Sequence, residues 1–274
     1  MLTTVDRIQV VVRDRAAAVE TWEKLLGAQR VSEDESPVLK ARRTTVQAGR
    51  SLVELLEPSG DGPVGAWASE WHQGLYGVVF ATADLDAMAR HFNSAGIEAQ
   101  EDGGALVVDP AATDGMPTSV VQQETREPVG RISHIYEVTN PVNDWQETAG
   151  RYTRLFGLDP TTYVPITSEA FGYTGTLTLF QRGQLDRIEI TQTSGDGAMD
   201  RFFHKRGPSL YMCYAETDDV PALAAHLREA GARFAAGTGG AEHGLFIHPS
   251  ALTGVLMGVS ETDFAWSWSG GRPE

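Results

Sequence analysis

The sequence predicts an α+β fold made of four tandem β-α-β-β-β modules, grouped in two halves. Three observations carry this reading. Four segments share a short apolar strand followed by an amphipathic helix that stops at a glycine, namely Gly27, Gly96, Gly157 and Gly231. After each helix come β-prone pieces broken by turns. The halves also match by position: LYGVVFATAD (75–84) sits 135 residues before LYMCYAETDD (210–219), and VELLEP (53–58) sits 135 before IEITQT (188–193).

In the first module, the strand DRIQVVV (6–12) leads to Asp14, a residue suited to cap a helix whose Val19, Trp22, Leu25 and Leu26 share one face. Gly27 supplies its left-handed stop, and SLVELLEP (51–58) is its later strand. The second helix turns Leu85, Met88, Phe92 and Ala95 inward, ahead of the strand ALVVDP (105–110). The third opens with SHIYEVT (133–139), stripes its helix with Trp145, Ala149, Tyr152 and Phe156, and continues through TLTLFQRG (176–183) and DRIEITQT (186–193). The fourth carries Val220, Leu223, Leu227 and Ala230 on its helix, then GLFIHP (244–249) and GVLMGV (254–259).

Matching DRIQVVV to SHIYEVT sets the opening strands 127 residues apart, which leaves about eight extra residues in the Pro- and Gly-punctuated stretch 158–175. That stretch reads either as a lid over a cavity or as a longer surface loop. The polar join QQETREPVGR (122–131) separates a domain at 1–125 from one at 131–263, with a tail at 264–274.

With 37 acidic residues against 22 Lys+Arg, the formal charge of −15 repels a phosphate backbone, so nucleic acid and anionic membrane are excluded as expected partners. The lone cysteine, Cys213, cannot form an internal disulfide and reads as an inert core thiol. The N-terminus has no basic segment ahead of an apolar run, and no stretch approaches 18 apolar residues, so a soluble cytoplasmic chain is expected.

The openings DRIQVVVRDRAAAVETWEKLLG and SHIYEVTNPVNDWQETAGRYTRLFG, with KRGPSLYMCYAETDDVPALAAHLREAG and the ending FIHPSALTGVLMGV, resemble the vicinal oxygen chelate superfamily across nearly the whole chain. That superfamily includes glyoxalase I, methylmalonyl-CoA epimerase, extradiol dioxygenases and the bleomycin-resistance proteins. The resemblance implies two glyoxalase-like domains, each a concave mixed sheet flanked by helices. It also implies a divalent metal, held by His, Glu or Gln on paired strands, that acts as a Lewis acid toward two vicinal substrate oxygens. No nucleotide cofactor is expected.

Carried over by resemblance, the first-half ligand positions hold Arg7, Glu54 and Gly77, an arrangement in which Arg7 competes for Glu54, so that half reads as a structural copy. In the second half, His134 and Glu189 are of metal-competent types, while the other two positions hold Met212 and Gly258. The ring-cleaving pattern of two histidines and a glutamate therefore fails, and extradiol chemistry is disfavoured. His243 is a candidate third ligand, because the strand HGLFIH places one of its faces toward the cavity.

The remaining histidines read as structural: His91 and His226 as solvent-facing helix positions, His72 and His204 as surface or capping residues, and His248 as part of a turn. Tyr76 and Tyr211 recur at matching positions and read as packing. The functional expectation is an isomerase, epimerase or lyase that moves a proton beside a carbonyl of a small oxygen-rich metabolite in the second-half cavity. His134 serves as base or metal ligand and Glu189 as its partner. The alternatives left open are a metal recruited through His134, Glu189 and His243, a metal-free His134–Glu189 pair, and a non-catalytic small-molecule binding protein; a homodimer is compatible with each.

Overall fold

A computed structural model describes residues 1–237, 240 and 242–272. The four expected modules are present. In the first half, β1 (Leu2–Val11), α1 (Arg15–Leu26), β2 (Gln29–Ser36), β3 (Ala41–Ala48) and β4 (Ser51–Pro58) form one module. A linking helix α2 (Pro63–Trp71) leads to the next, made of β5 (Gly74–Thr82), α3 (Leu85–Ser94), β6 (Ala99–Asp102), β7 (Ala105–Val108) and β8 (Thr118–Gln122). The second half repeats the plan with β9 (His134–Pro141), α4 (Trp145–Phe156), β10 (Val164–Ser168), β11 (Tyr173–Leu179) and β12 (Arg187–Thr193). The linking helix α5 (Ala198–Arg206) precedes β13 (Met212–Glu216), α6 (Val220–Glu229), β14 (Phe234–Ala236), β15 (Gly244–Ile247) and β16 (Met257–Ser260). A last helix, α7 (Thr262–Trp268), occupies much of what the sequence presents as a tail.

Each half is an eight-stranded mixed sheet, ordered β2-β3-β4-β1-β5-β8-β7-β6 and β10-β11-β12-β9-β13-β16-β15-β14. Within a half, the opening strands of its two modules pair antiparallel at the centre, and each pairs parallel with the last strand of its own module. The expected helical stripes face the core, except at Ala95, which caps the C-terminus of α3 and is exposed. Asp14, Asp84, Asp144 and Asp219 cap the four module helices through their side chains, and Gly27 and Gly157 close α1 and α4 in the left-handed conformation. Trp22 is fully buried and donates from its indole N–H to Thr253 Oγ1 at 3.1 Å, whereas Trp145 is only partly buried. Trp22→Ala is expected to cost about 3 kcal/mol or more in denaturant titration, and Trp145→Ala clearly less.

Two histidines depart from the sequence expectation. His91 of α3 and His226 of α6 are not free solvent-facing positions; each fastens one half to the other. His91 Nε2 lies 2.9 Å from the Arg154 carbonyl and 3.0 Å from that of Leu155, at the C-terminal end of α4. His226 Nε2 lies 2.8 Å from the Lys24 carbonyl near the end of α1. The last carbonyls of a helix have no partners within it, so an imidazole N–H is a favourable cap there. Single alanine replacements at these histidines are expected to cost about 1 kcal/mol each, read as urea midpoints, with the double replacement additive because the two contacts are separate.

The opening strands are 130 residues apart, not 127. Asp14 and Asp144 cap equivalent helices, and the pairs Arg7↔Leu52 and Gln9↔Gly77 of the first sheet recur as Glu137↔Arg187 and Thr139↔Met212 in the second. The residue equivalent to Arg7 is therefore Glu137. Among the described residues, no helix is long and apolar enough to cross a membrane.

Candidate functional site

The inner face of the second sheet carries two adjoining chambers of about 50 and 210 Å³. Both are bounded by Tyr173, Glu189, Tyr214, Phe246 and Trp268. The floor is polar, and its charges come from strand alternation: in RIEIT of β12, Arg187 and Glu189 point inward while Ile188 and Ile190 enter the core. Arg187 is ion-paired to Glu137 of β9, and both are almost fully buried. The same guanidinium lies 5.2 Å from the Tyr136 ring centroid, and its Nη1 donates to Ser269 Oγ at 2.7 Å, just past α7. The roof is apolar, with Phe264 and Trp268 of α7 and Ile166 of β10 over one chamber. Ala170 and Phe171, in the β10–β11 turn, border the other, so the 158–175 stretch folds as a hairpin at the cavity.

Glu189 is the chemically distinctive group. It is buried, and Thr139 Oγ1 donates to its Oε2 at 2.5 Å. Burial, then the neighbouring Glu137 carboxylate, pushes its pKa up to about 8, against the opposing pull of the Thr139 hydrogen bond and Arg187. At neutral pH it rests mostly protonated while facing both chambers. Burial likewise raises the Tyr173 and Tyr214 phenols well above their ordinary value, so they act as neutral hydrogen-bonding groups.

The sequence candidates do not converge here. His134 lies in a separate groove of about 400 Å³ between the halves, with Nδ1 3.2 Å from Arg50 Nη2 and 3.6 Å from Glu216 Oε2. Burial and then the Arg50 charge push its pKa down to about 4, so at neutral pH it is uncharged and its contact with Glu216 is not an ion pair. Glu189 lies beside Thr139, five residues further along β9, and shares no cavity with His134. His243 is exposed, stacked on Phe264 and 3.6 Å from Glu261 Oε2. The three candidates therefore do not form one donor set, and among the described residues no group of three or more His, Cys, Asp or Glu is placed to hold a metal.

The register explains why an ion fits poorly. The inherited positions of the second half are occupied by Glu137, Glu189, Met212 and Gly258. Glu137 is taken by Arg187, and a Cβ on Gly258 would fall 2.2 Å from the Tyr214 ring, which fills the space a ligand side chain there would need. The first half is closed in the same way: Arg7 Nη1 donates to Glu54 at 2.9 Å, Gln9 Nε2 donates to the other Glu54 oxygen at 2.8 Å, and the Gln9 carbonyl oxygen sits above Gly77. In both halves a guanidinium supplies the positive charge, from β1 in one and from β12 in the other.

Sequence reasoning missed Glu137, Arg187, Tyr173 and Tyr214. The available signal was the alternation of charged with β-branched residues in DRIEIT, which reads equally well as a solvent-facing strand.

Residues 6–108 match the family model described as Glyoxalase/Bleomycin resistance protein/Dioxygenase superfamily. A triple mutant of 4-hydroxymandelate synthase from Streptomyces coelicolor has a similar fold, with TM-score 0.74 at 13% identity over 95% of this chain and 93% of that one. Methylmalonyl-CoA epimerases align with about half of the chain. The enzyme from Mycobacterium tuberculosis does so at TM-score 0.41 and 19% identity, covering 45% of this chain and 89% of that one. The Streptomyces coelicolor enzyme does so at 0.41 and 24%, covering 46% and 100%. No curated protein matches the chain in sequence. The family model thus covers most of the first half, and the second half repeats the same fold.

Proposed function

We propose that the chain is an enzyme that moves a proton beside a carbonyl of a small molecule with a flat apolar body, bound in the second-half chambers, and that Glu189 is its acid–base residue. The observation that supports this is a buried carboxyl, not directly ion-paired, with its pKa raised to about 8, aimed into an aromatic-walled cavity. Substrate oxygens would be received by the neutral Tyr173 and Tyr214 phenols and by the Arg187 guanidinium, which stabilise negative charge as it develops on oxygen. Glu189 is itself buried, so the carboxylate formed on ionisation is poorly solvated and a stronger base than a solvated one. The donor geometry leads us to expect turnover that survives chelation, with no step assigned to a metal. We place His134 outside the chemistry, as a neutral residue at the seam between the halves.

The test follows deuterium from solvent into the α-position of a panel of aryl and alkyl ketones, hydroxy-ketones and lactones, observed by NMR. Exchange is expected for at least one member, rising with pH toward about 8 as Glu189 ionises, lost in Glu189→Gln and retained in His134→Ala. Absence of exchange across the panel, or exchange that persists in Glu189→Gln, overturns the assignment. The dense aromatic lining also supports sequestration without turnover. In that case, ligands quench Trp268 fluorescence with equal affinity in wild type and Glu189→Gln.

A further inference from the structure

The two linking helices, α2 and α5, meet at the seam between the halves and border a pocket that the second-half chemistry does not use. They hold equivalent places in the chain: Trp67, Trp71 and Tyr76 lie 135 residues before Phe202, Arg206 and Tyr211. In each half the helix sets an aromatic edge against the tyrosine of the following strand region, Trp67 on Tyr76 with ring centroids 5.9 Å apart and Phe202 on Tyr211 at 5.0 Å. The equivalence fails in kind at one position, where α2 has Trp71 and α5 has Arg206. The Arg206 guanidinium reaches across the seam, 4.5 Å from the Trp71 ring centroid, 5.4 Å from that of Trp67 and 5.0 Å from that of Phe202. The pocket beside it, of about 140 Å³, is walled by Leu75, Pro117, Pro208 and Leu210. Gly115 and Pro208 meet backbone to backbone at its border, with no room for a Cβ, which fixes the spacing of the halves there.

Among the described residues that line the pocket, Arg206 alone is charged. In Arg7, Arg43 and Arg187 burial is outweighed by carboxylates in contact, and their pKa values rise. In Arg206 burial wins against the pull of Glu70, and the pKa falls below its ordinary 12.5. Glu70 is exposed and not in ion-pair contact, and the Lys205 ammonium, 5.8 Å from the Trp71 ring centroid, offsets its charge. Asp114, next to Gly115, is engaged by Arg151 at 3.0 Å. The rings hold Arg206 over their faces, while its N–H groups, which lie in the guanidinium plane, have no acceptor among the described residues. Tyr76 supplies a second polar group: it is 5% exposed, lines the pocket, and its hydroxyl has no partner among the described residues.

A cation is the wrong occupant, because the aromatic faces already hold one in Arg206. A multiply charged anion would bring more charge than one guanidinium neutralises in an apolar pocket. A monoanion with a flat apolar body meets both requirements, its carboxylate on the N–H edge of Arg206 and its body against the rings. We infer that this pocket is a ligand site for a small aromatic carboxylate, held by Arg206 and Tyr76 and separate from the second-half chambers.

The test titrates benzoate and indole-3-carboxylate into the full nitrogen-15-labelled chain and follows the indole N–H resonances by NMR, with Trp67→Phe and Trp71→Phe used for assignment. Shifts are expected at Trp67 and Trp71. Benzamide, of the same shape without the charge, and benzylamine are expected to bind more than about tenfold more weakly than benzoate. Arg206→Gln is expected to lose more than about tenfold in affinity, and Tyr76→Phe, which keeps the ring in place, several-fold. Tyr76→Phe keeps the test decisive if Arg206→Gln fails to fold. Glu189→Gln is expected to bind as wild type does, which separates this site from the proposed chemistry. Absence of shifts at Trp67 and Trp71 with either carboxylate, shifts confined to Trp268, equal binding of benzamide, or undiminished affinity in Tyr76→Phe or in a folded Arg206→Gln overturns the inference.

Discussion

Arg187→Met is expected to destabilise the protein by about 3–5 kcal/mol, measured as the loss in unfolding free energy in urea, because it leaves the Glu137 carboxylate buried without its partner. Arg187 is 3% and Glu137 2% exposed, so solvent does not screen the remaining charge. Methionine keeps much of the volume, so the loss reports charge more than packing. The double replacement Arg187→Met with Glu137→Leu is expected to recover most of the stability, since an apolar pair of similar volume removes both desolvation costs at once. If the single replacement costs under about 1 kcal/mol, as exposed pairs do, water reaches the pair and the closed roof over the chamber is wrong. Arg187→Met also removes the donor to Ser269, so any ligand affinity that depends on α7 should fall with it.

The second large effect is on the pH dependence of stability. Glu189 has an ordinary pKa of 4.5 when unfolded and about 8 in the fold, so between these values the native state keeps a proton that the unfolded chain has released. The contribution of this group is fully present below about 4.5 and is lost as the pH rises through about 8. Asp186, buried and raised to about 7 despite accepting the Val5 N–H, acts in the same direction between 3.8 and 7. His134 acts oppositely: its folded pKa of about 4 lies below its ordinary 6.5, so its contribution is present above 6.5 and is lost as the pH falls toward 4. Above pH 7, His134 no longer titrates, Asp186 completes its ionisation, and Glu189 carries most of the remaining change. Wild-type Tm should therefore fall between pH 7 and pH 9, and Glu189→Gln should flatten that fall. Parallel Tm profiles for the two proteins would show that Glu189 is already ionised at neutral pH, and would remove the support for its role as a base.

The failure to assemble a site from sequence has a specific cause. In SHIYEVTNPVND, the Asn-Pro pair reads as a turn that ends the strand at Thr139. In the structure Asn140 and Pro141 are buried and continue β9, paired with Ile190 and Thr191. Ending the strand two residues early and matching that end to Val12 put the two halves three positions out of register, which moved the matched position from Glu137 to His134, and with it the expected partner of Glu189. Proline is tolerated here because it occupies the last position of the strand, where the ladder ends.

The sequence by itself determined the architecture. Caps at Asp14, Asp84, Asp144 and Asp219, stops at Gly27 and Gly157, and stripes such as Val19, Trp22 and Leu26 are local signals, and each acts within a few residues of where it is written. It also exposed the conflict between Arg7 and Glu54, which share a face of neighbouring strands, Glu54 standing opposite Gln9 and one step along from Arg7. Only the tertiary structure decided what the inward faces do. Alternating charged residues look the same whether the face they share is wet or roofed. Burial of Glu189 depends on α7 and the β10–β11 hairpin, which lie far from β12 in the chain, and the hydrogen bond between Ser36 and Asp102 joins the two ends of a sheet. Strand periodicity fixes which side chains share a face, but the dielectric and the partners they meet there are set by residues distant in sequence, and those fix the protonation state of Glu189.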